Sequence, residues 1–300
     1  MTITFEAGAR TVLAPATSAN LGPGFDALGL ALDLCDEVTA WVTEDGKTRV
    51  TVEGEGAGEL PDDDTHLVVR AMRETFAELG AQPSGLGLHC LNRIPQARGM
   101  GSSSAAIVAG VTLANALAGG RLSRADEVRL AGRIEGHPDN IAPCLLGGFT
   151  VAWGGAAGAR AVSLPVAAGV HPTVFVPAVR GFTAQARAAL PSQVPHADAA
   201  FNAGRSALLV HALTTEPGLL FEATEDRLHQ GYRAPGMPET AELVAQLRAA
   251  GAAAVVSGAG PSVLVLSALP SGFVPAGSWL AHSLSVNAGG AVVREGRIRS

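Results

Sequence analysis

A glycine- and serine-rich segment at residues 95–106 contains the residues best suited to chemistry. Gly99 and Gly101 can adopt backbone conformations that other residues avoid, so the chain there can turn sharply and approach a ligand closely. Ser102, Ser103 and Ser104 follow at the expected N-cap of a helix, and an apolar stretch continues to residue 118. The free N–H groups and positive dipole end of such a helix favour an anion. The segment therefore predicts a phosphate-binding loop.

Two common phosphate-loop patterns do not fit this segment. The Gly-x-x-x-x-Gly-Lys-Ser/Thr pattern is absent, and Lys47 is the only lysine of the chain. The dinucleotide pattern Gly-x-Gly-x-x-Gly would need a glycine where Ser104 stands, and no acidic residue follows about 20 positions later to bind a ribose. A triphosphate is therefore a better candidate ligand than a dinucleotide. A helix cap without a ligand is the alternative interpretation.

The composition narrows the class of protein. The chain has 300 residues, of which 47% are hydrophobic and 16% charged, so it can bury a sizeable core. A net charge of -6 without basic runs argues against nucleic acid as a partner. No signal peptide and no membrane span are expected. The three cysteines are too widely spaced for a disulfide framework or a Cys-x-x-Cys metal site, which indicates a reducing cytoplasm.

The periodicity of apolar residues predicts strands and helices in irregular order. Asp45-Gly46, between two alternating segments, indicates a β-hairpin. The order argues for an α+β fold over a doubly wound parallel sheet. The glycines at 154–158 suggest a boundary between domains at 1–160 and 161–300. Strands are expected at 11–14, 28–34, 38–43, 49–53, 86–91, 148–153, 173–179, 253–257 and 262–266, and helices at 66–79, 103–118, 123–135, 183–190, 197–213, 219–229 and 239–250.

Three glycine-rich motifs carry a family resemblance. They are Pro-Ala-Thr-Ser-Ala-Asn-Leu-Gly-Pro-Gly-Phe-Asp at 15–26, the loop at 95–106, and Gly-Ala-Gly-Pro-Ser at 258–262. In this order and spacing they resemble the motifs of the GHMP kinases. The first motif, together with His-Pro-Asp-Asn-Ile-Ala-Pro at 137–143, is similar to the homoserine kinase branch. The resemblance covers essentially the whole chain.

The resemblance implies a fold and a reaction. The fold would have two domains, the N-terminal one with a left-handed βαβ unit and the C-terminal one a ferredoxin-like α/β sandwich. The reaction would transfer the γ-phosphoryl group of ATP, with Mg²⁺, to the hydroxyl of L-homoserine in threonine biosynthesis. A homodimer is plausible from the family. Another GHMP kinase acting on a different alcohol, and a nucleotide-binding sensor without turnover, are the alternative hypotheses.

The resemblance also assigns site residues. Magnesium would be held by Glu135 and either Ser103 or Ser104, since the family motif aligns in two ways. His66 lies near the position at which many members have an asparagine in the adenine pocket. The catalytic candidates are His137, Asp139 and Asn140, with a turn-forming hydrogen-bonding role as the alternative for Asp139. Either His137 beside Asp139 acts as a general base, or Asn140 orients the hydroxyl and no strong base is used. The residues expected to bind ATP are Pro95, Gln96, Ala97, Arg98, Gly99, Met100, Gly101, Ser102, Ser103, Ser104 and Ala105. Those expected to bind homoserine are Asn20, Asp26, His137, Asn140, Arg187, Arg233, Gly260 and Ser262.

Overall fold

Strands and helices follow one another irregularly, which confirms the α+β class. The computed structural model describes residues 3–6 and 8–298. Its strands are β1 (Ala9–Ala19), β2 (Leu28–Thr43), β3 (Thr48–Gly54), β4 (Gly85–Asn92), β5 (Phe149–Trp153), β6 (Arg160–Leu164), β7 (Thr173–Pro177), β8 (Ala254–Val256), β9 (Val263–Val265), β10 (Trp279–Ser283) and β11 (Val292–Gly296). Its α-helices are α1 (Leu67–Glu78), α2 (Ser102–Leu117), α3 (Arg124–Glu135), α4 (Ile141–Leu146), α5 (Thr183–Ala188), α6 (His196–Thr214), α7 (Leu220–Ala223), α8 (Gln230–Arg233) and α9 (Pro238–Ala249).

The larger sheet is built around the long strand β2. Its strands run in the order β11-β1-β2-β4-β3, and β5 pairs with the start of β2 and with β6. The two strands predicted at 28–34 and 38–43 are therefore one strand. Its register with β1 steps from Pro15–Cys35 to Ala16–Leu32, which leaves Asp33 and Leu34 as a bulge. A bulge bends a strand, and here it divides the part that pairs with β5 from the part that pairs with β4.

The hairpin predicted at Asp45-Gly46 is wrong. The chain does turn there, but β4 lies between β2 and β3, and β3 pairs with β4 in parallel. The helix α1 connects β3 to β4, so these elements form a βαβ unit. The physical reason is that β4 is buried along most of its length, so it lies between two other strands and not at an edge of the sheet. Gly87 also leaves room for the ring of Trp41 on β2, which a Cβ would strike.

Local signals predicted most helices correctly. His66 is the N-cap of α1, and Ser123 forms a complete capping box with Asp126 at the start of α3. The apolar helix α2 is buried on nearly all sides, between α1, α3 and the sheet. Of the helices in the described residues, none has the length and apolar character needed to span a membrane.

The smaller sheet has the strand order expected of a ferredoxin-like fold. Its order β10-β7-β9-β8 is antiparallel throughout, and α9 packs on it through Leu243 and Leu247. The connection between β9 and β10, residues 266–278, contains no helix. The domain boundary at residue 160 stays a prediction. The strand β6 begins at that residue and β11 lies beyond it, and both strands pair within the larger sheet.

The helix predicted at 219–229 is wrong in its second half. The helix α7 ends at Ala223, and residues 224–229 form a non-helical turn before α8. The carboxylate of Asp226 accepts hydrogen bonds from the backbone N–H groups of Leu228, His229 and Gln230. An aspartate that captures nearby N–H groups competes with helix formation. The turn places His229 and Arg233 beside the loop at 20–26.

Candidate active site

The phosphate loop is a tight turn that only glycine can form at two positions. Gly99 and Gly101 have φ angles of 72° and 71°. A Cβ on Gly99 would collide with the carbonyl oxygen of Ser257, and one on Gly101 would collide with the hydroxyl of Thr17. The loop therefore lies tightly between the first and third glycine-rich motifs.

The helix that follows the loop begins one residue earlier than predicted. Its N-cap is Gly101, which makes no side-chain capping bond, so Ser102, Ser103 and Ser104 form the first turn. The N–H groups of a first turn have no intrahelical acceptor. All three serines line a cleft of about 110 Å³. Hydroxyl and N–H donors are thus available to an anion in that cleft.

Glu135 lies opposite these serines at the end of α3. The Ser103 hydroxyl donates to Glu135 Oε2 at 3.0 Å, and the Ser104 hydroxyl donates to Glu135 Oε1 at 2.9 Å. The structure thus brings both candidate serines to the predicted glutamate. Hydroxyl and carboxylate oxygens are the ligands that Mg²⁺ prefers, and magnesium needs only one or two from protein. Glu135 together with Ser103 or Ser104 therefore fits the ligand set of a magnesium ion.

Charged groups suited to an amino acid also line the cleft. Arg187 forms a bidentate ion pair with Asp26, with nitrogen–oxygen distances of 2.7 and 3.0 Å. Burial lowers the pKa of Arg233, which is only 3% exposed. Both guanidinium groups lie over the ring of Phe25, at 5.8 Å for Arg187 and 5.3 Å for Arg233. One carboxylate and two guanidinium groups complement a zwitterion.

Asn20 holds the loop at 20–26 in shape. Its Nδ2 donates to the Gly258 carbonyl at 2.8 Å, and its Oδ1 accepts from the backbone N–H of Asp26 at 3.0 Å. Asn20, Leu21 and Asp26 have φ angles of 68°, 50° and 56°. Such strained backbone outside glycine is typical of functional sites. Asn20 lines the cleft, and both ends of its amide already bind protein atoms.

His137, Asp139 and Asn140 all line the cleft. His137 Nδ1 lies 3.0 Å from Asp139 Oδ1, and this hydrogen bond is the main reason that the pKa of His137 is raised. The Asn140 Oδ1 accepts a hydrogen bond from the hydroxyl of Thr17 at 2.8 Å. The Nδ2 of Asn140 has no acceptor among the residues that the structure describes, so it can donate to a ligand.

The third motif contributes its glycines to the cleft but not its serine. Gly258 and Gly260 line the cleft, together with Ala259. Ser262 is fully buried outside it, and its hydroxyl has no hydrogen-bond partner among the described residues.

A larger cavity of about 420 Å³ lies beside the phosphate loop. It is lined by loop residues that include Gln96, Ala97 and Ala105, and by apolar residues that include Leu67 and Val68. Its volume lies in the range of small-molecule sites, so it can hold a nucleoside. Pro95 is buried and lines neither cavity.

His66 offers a hydrogen-bond donor at this cavity. Its Nδ1 accepts from the backbone N–H of Val68, so the neutral ring carries its proton on Nε2. Burial lowers the pKa of His66 and keeps it neutral. Its Nε2 is buried without a partner in the described part of the chain. An unpartnered buried donor at a cavity of this size fits an acceptor atom of a nucleobase.

Family models and curated relatives both match this chain. The family model for the GHMP kinases N terminal domain matches residues 66–148, and that for the GHMP kinases C terminal domain matches residues 209–271. A homoserine kinase from Streptomyces avermitilis is 53% identical over 296 residues, which covers 96% of this chain and 97% of the relative. One from Clavibacter michiganensis is 51% identical and covers 94% and 93%. The chain belongs to the homoserine kinase family.

Solved structures extend the match to three dimensions. The crystal structure of homoserine kinase from Cytophaga hutchinsonii has a TM-score of 0.85 at 29% identity and covers 98% of this chain and 100% of its own. The crystal structure of L. major mevalonate kinase in complex with R-mevalonate has a TM-score of 0.65 at 14% identity and covers 89% of this chain and 90% of its own, which shows a shared fold alone. The GHMP kinase fold predicted from the motifs is therefore confirmed.

Two residues of this site are not marked by the sequence. Thr17 lies within the first motif and has no predicted role, although its hydroxyl contacts Asn140. His229 lies in the segment predicted as a helix at 219–229, and its ring contacts both Gly22 and Arg233. The motif itself could have pointed to Thr17, whereas no local pattern marks His229.

Proposed function

We propose that this protein is a homoserine kinase, which transfers the γ-phosphoryl group of ATP to the hydroxyl of L-homoserine and yields O-phospho-L-homoserine and ADP for threonine biosynthesis. The observation that carries this function is the position of Asp26, Arg187 and Arg233 in the same cleft as the phosphate loop. A neutral sugar has no charged groups that could pair with this carboxylate and these two guanidinium groups.

The amino acid binds by exchanging partners with an ion pair that exists without it. Asp26 and Arg187 hold each other in the free protein. The ammonium group of the substrate pairs with Asp26, and the carboxylate of the substrate pairs with Arg187 and Arg233. One ion pair is thus replaced by two, which favours a zwitterion over an amine or an acid alone.

The phosphates lie along the loop and the first turn of α2. Backbone N–H groups of Gly99, Gly101 and the serines donate to the phosphate oxygens. Glu135 and Ser103 or Ser104 would hold Mg²⁺, which would neutralise charge on the phosphoryl oxygens. The nucleoside occupies the larger cavity, where His66 Nε2–H donates to the base.

Phosphoryl transfer needs little from the protein besides positioning and charge stabilisation. The Nδ2 of Asn140 donates to an oxygen of the transferred group. Asp139 accepts from His137 Nδ1–H and so leaves Nε2 unprotonated in the neutral ring. The homoserine hydroxyl forms a bond to the γ-phosphorus, its proton passes to His137 Nε2, and the bond from the γ-phosphorus to ADP breaks.

An assay of ADP release from ATP and Mg²⁺ tests this function. L-homoserine, mevalonate, galactose and shikimate are compared as acceptors on purified protein. Homoserine is expected to give a kcat/KM more than about tenfold above each of the others. A tenfold preference for another acceptor would refute it, and ATP binding without any transfer would indicate a sensor.

Two further features belong to the same proposal. The three cysteines are free, which suits work in a reducing cytoplasm. A homodimer is expected from the family, and light scattering of the purified protein measures its mass.

A further inference from the structure

His229 is a fully buried histidine outside the residues assigned to the reaction. It precedes α8 and lies between the loop at 20–26 and the guanidinium of Arg233. Its Nε2 is 2.8 Å from the carbonyl oxygen of Gly22, and its Nδ1 is 3.1 Å from Arg233 Nη1. The ring packs on Phe25 with a centroid distance of 5.1 Å. One side chain therefore contacts both the substrate loop and a substrate-binding arginine.

The two contacts select one form of the imidazole. A carbonyl oxygen can only accept, so Nε2 must carry the proton that it donates to Gly22. A guanidinium can only donate, so Nδ1 must be an unprotonated acceptor. Burial lowers the pKa of His229, and the positive charge of Arg233 lowers it further, while the Asp226 and Asp26 carboxylates oppose this. The ring is held as the neutral Nε2–H tautomer.

Asp226 does not replace Gly22 as the acceptor for this proton. Its Oδ2 lies 3.6 Å from His229 Nε2, beyond hydrogen-bond distance. The same oxygen already accepts from the backbone N–H groups of His229 and Gln230. Gly22 lies at a position that requires glycine, because its φ is 85° and a Cβ there would lie 2.6 Å from the Thr224 carbonyl oxygen. The acceptor for His229 is therefore the backbone carbonyl of a glycine turn.

The contacts of Arg233 show what the histidine adds. Its Nη1 donates to His229 Nδ1 and, at 3.3 Å, to the Gly258 carbonyl, and its Nε donates to the Ala186 carbonyl at 3.2 Å. Its Nη2 has no acceptor among the residues that the structure describes. The guanidinium plane is thus fixed from one side, and Nη2 remains available for a carboxylate.

We propose that His229 is a positioning residue for homoserine, whose neutral ring sets the guanidinium of Arg233 relative to the loop that carries Asp26. The role of His229 rests on the carboxylate-binding role proposed above for Arg233. It adds that the spacing between the Asp26 carboxylate and the Arg233 guanidinium depends on the Nε2–H tautomer of His229. His229 itself touches neither homoserine nor ATP.

Two conservative variants separate the contacts of the ring. Asparagine places its Oδ1 where Nδ1 stands and keeps the acceptor for Arg233, but it cannot reach Gly22. Glutamine places its Nε2 near the ring Nε2 and keeps the donor to Gly22, but it loses the acceptor. His229→Gln is expected to raise the KM for homoserine about tenfold, as for a lost hydrogen bond to a charged group, and to leave the KM for ATP within about twofold. His229→Asn is expected to stay within about threefold of the wild type for homoserine.

A second pair of variants tests whether His229 acts through Arg233. Arg233→Ala should raise the KM for homoserine, and adding His229→Gln to it should change that KM by less than about twofold. An equal effect of His229→Gln in both backgrounds, or equal effects of the Gln and Asn variants, would overturn the positioning role. An unchanged KM in Arg233→Ala would instead overturn the carboxylate-binding role of Arg233 in the proposed function.

The wild-type protein provides a measurement that does not depend on the folding of variants. The ¹⁵N shifts of the His229 ring at neutral pH should show Nε2 protonated and Nδ1 unprotonated. The Nδ1–H tautomer or an imidazolium would contradict the contacts with Gly22 and Arg233.

Discussion

The hydroxyl of Thr17 should matter to the rate of transfer although it binds no substrate. Thr17 is fully buried on β1, and its hydroxyl donates to Asn140 Oδ1 at 2.8 Å. This bond turns the Nδ2 of Asn140 away from the strand. Thr17→Val keeps the branched shape of the side chain and removes the donor, so the amide is no longer held in one orientation.

The expected size of the effect follows from the hydrogen bond. A buried hydrogen bond contributes about 1.4 kcal/mol at the upper end of the usual range, and that energy corresponds to a factor of about ten in rate. We therefore expect kcat of Thr17→Val to fall about tenfold, while both KM values change by less than about twofold. The free energy of unfolding should fall by about 1–3 kcal/mol, because the Asn140 carbonyl loses its donor.

Thr17→Ser is the matched control for this variant. It keeps the hydroxyl and loses one buried methyl group, which should cost about 1 kcal/mol of stability. Steady-state kinetics and chemical denaturation are measured on both variants. Similar losses of stability with a tenfold difference in kcat would support the positioning of Asn140. A kcat of Thr17→Val within about twofold of Thr17→Ser would refute it.

Three other variants test the remaining assignments. Glu135→Gln should lower kcat by about 100-fold or more and raise the Mg²⁺ concentration needed for half-maximal activity, with an unchanged circular dichroism spectrum; normal magnesium dependence would exclude Glu135 as a ligand. Arg187→Ala should raise the KM for homoserine much more than that for ATP, and equal effects on both would count against a carboxylate-binding role. Asp139 raises the pKa of His137, so activity should fall as the pH drops through that raised value and His137 gains a proton. Asp139→Asn should shift this acid limb to lower pH, and a pH profile that does not move would show that His137 takes no proton.

Features that depend on neighbouring residues could be predicted from the sequence. The capping box at Ser123 and Asp126 satisfies backbone groups three residues apart, so its pattern alone predicts the start of α3. The phosphate loop was predictable for the same reason, since Gly99 and Gly101 mark a turn before an apolar helix. The composition of α2 likewise predicts a buried helix.

Features decided by competition between distant segments could not be predicted in this way. The Asp45-Gly46 turn is real, but β4, which begins 40 residues after Asp45, pairs with β2 in place of β3. Thr39 of β2 therefore pairs with His89 and not with a residue of β3. The spacing of apolar residues favours a helix at 219–229, but the Asp226 carboxylate accepts hydrogen bonds from the backbone N–H groups of His229 and Gln230 and forms a turn there.

The sequence by itself determined the family, the phosphate loop and most of the residues that line the cleft, because these depend on glycines, serines and charged side chains at short spacing. Only the tertiary structure decided how those side chains pair. Arg187 meets Asp26 across 161 positions, Asn140 meets Thr17 across 123, and His229 meets Gly22 across 207. The direction of an amide, the tautomer of a buried ring and the partner of a carboxylate are set by whichever donor or acceptor the fold places within about 3 Å. Composition and spacing along the chain do not determine those distances.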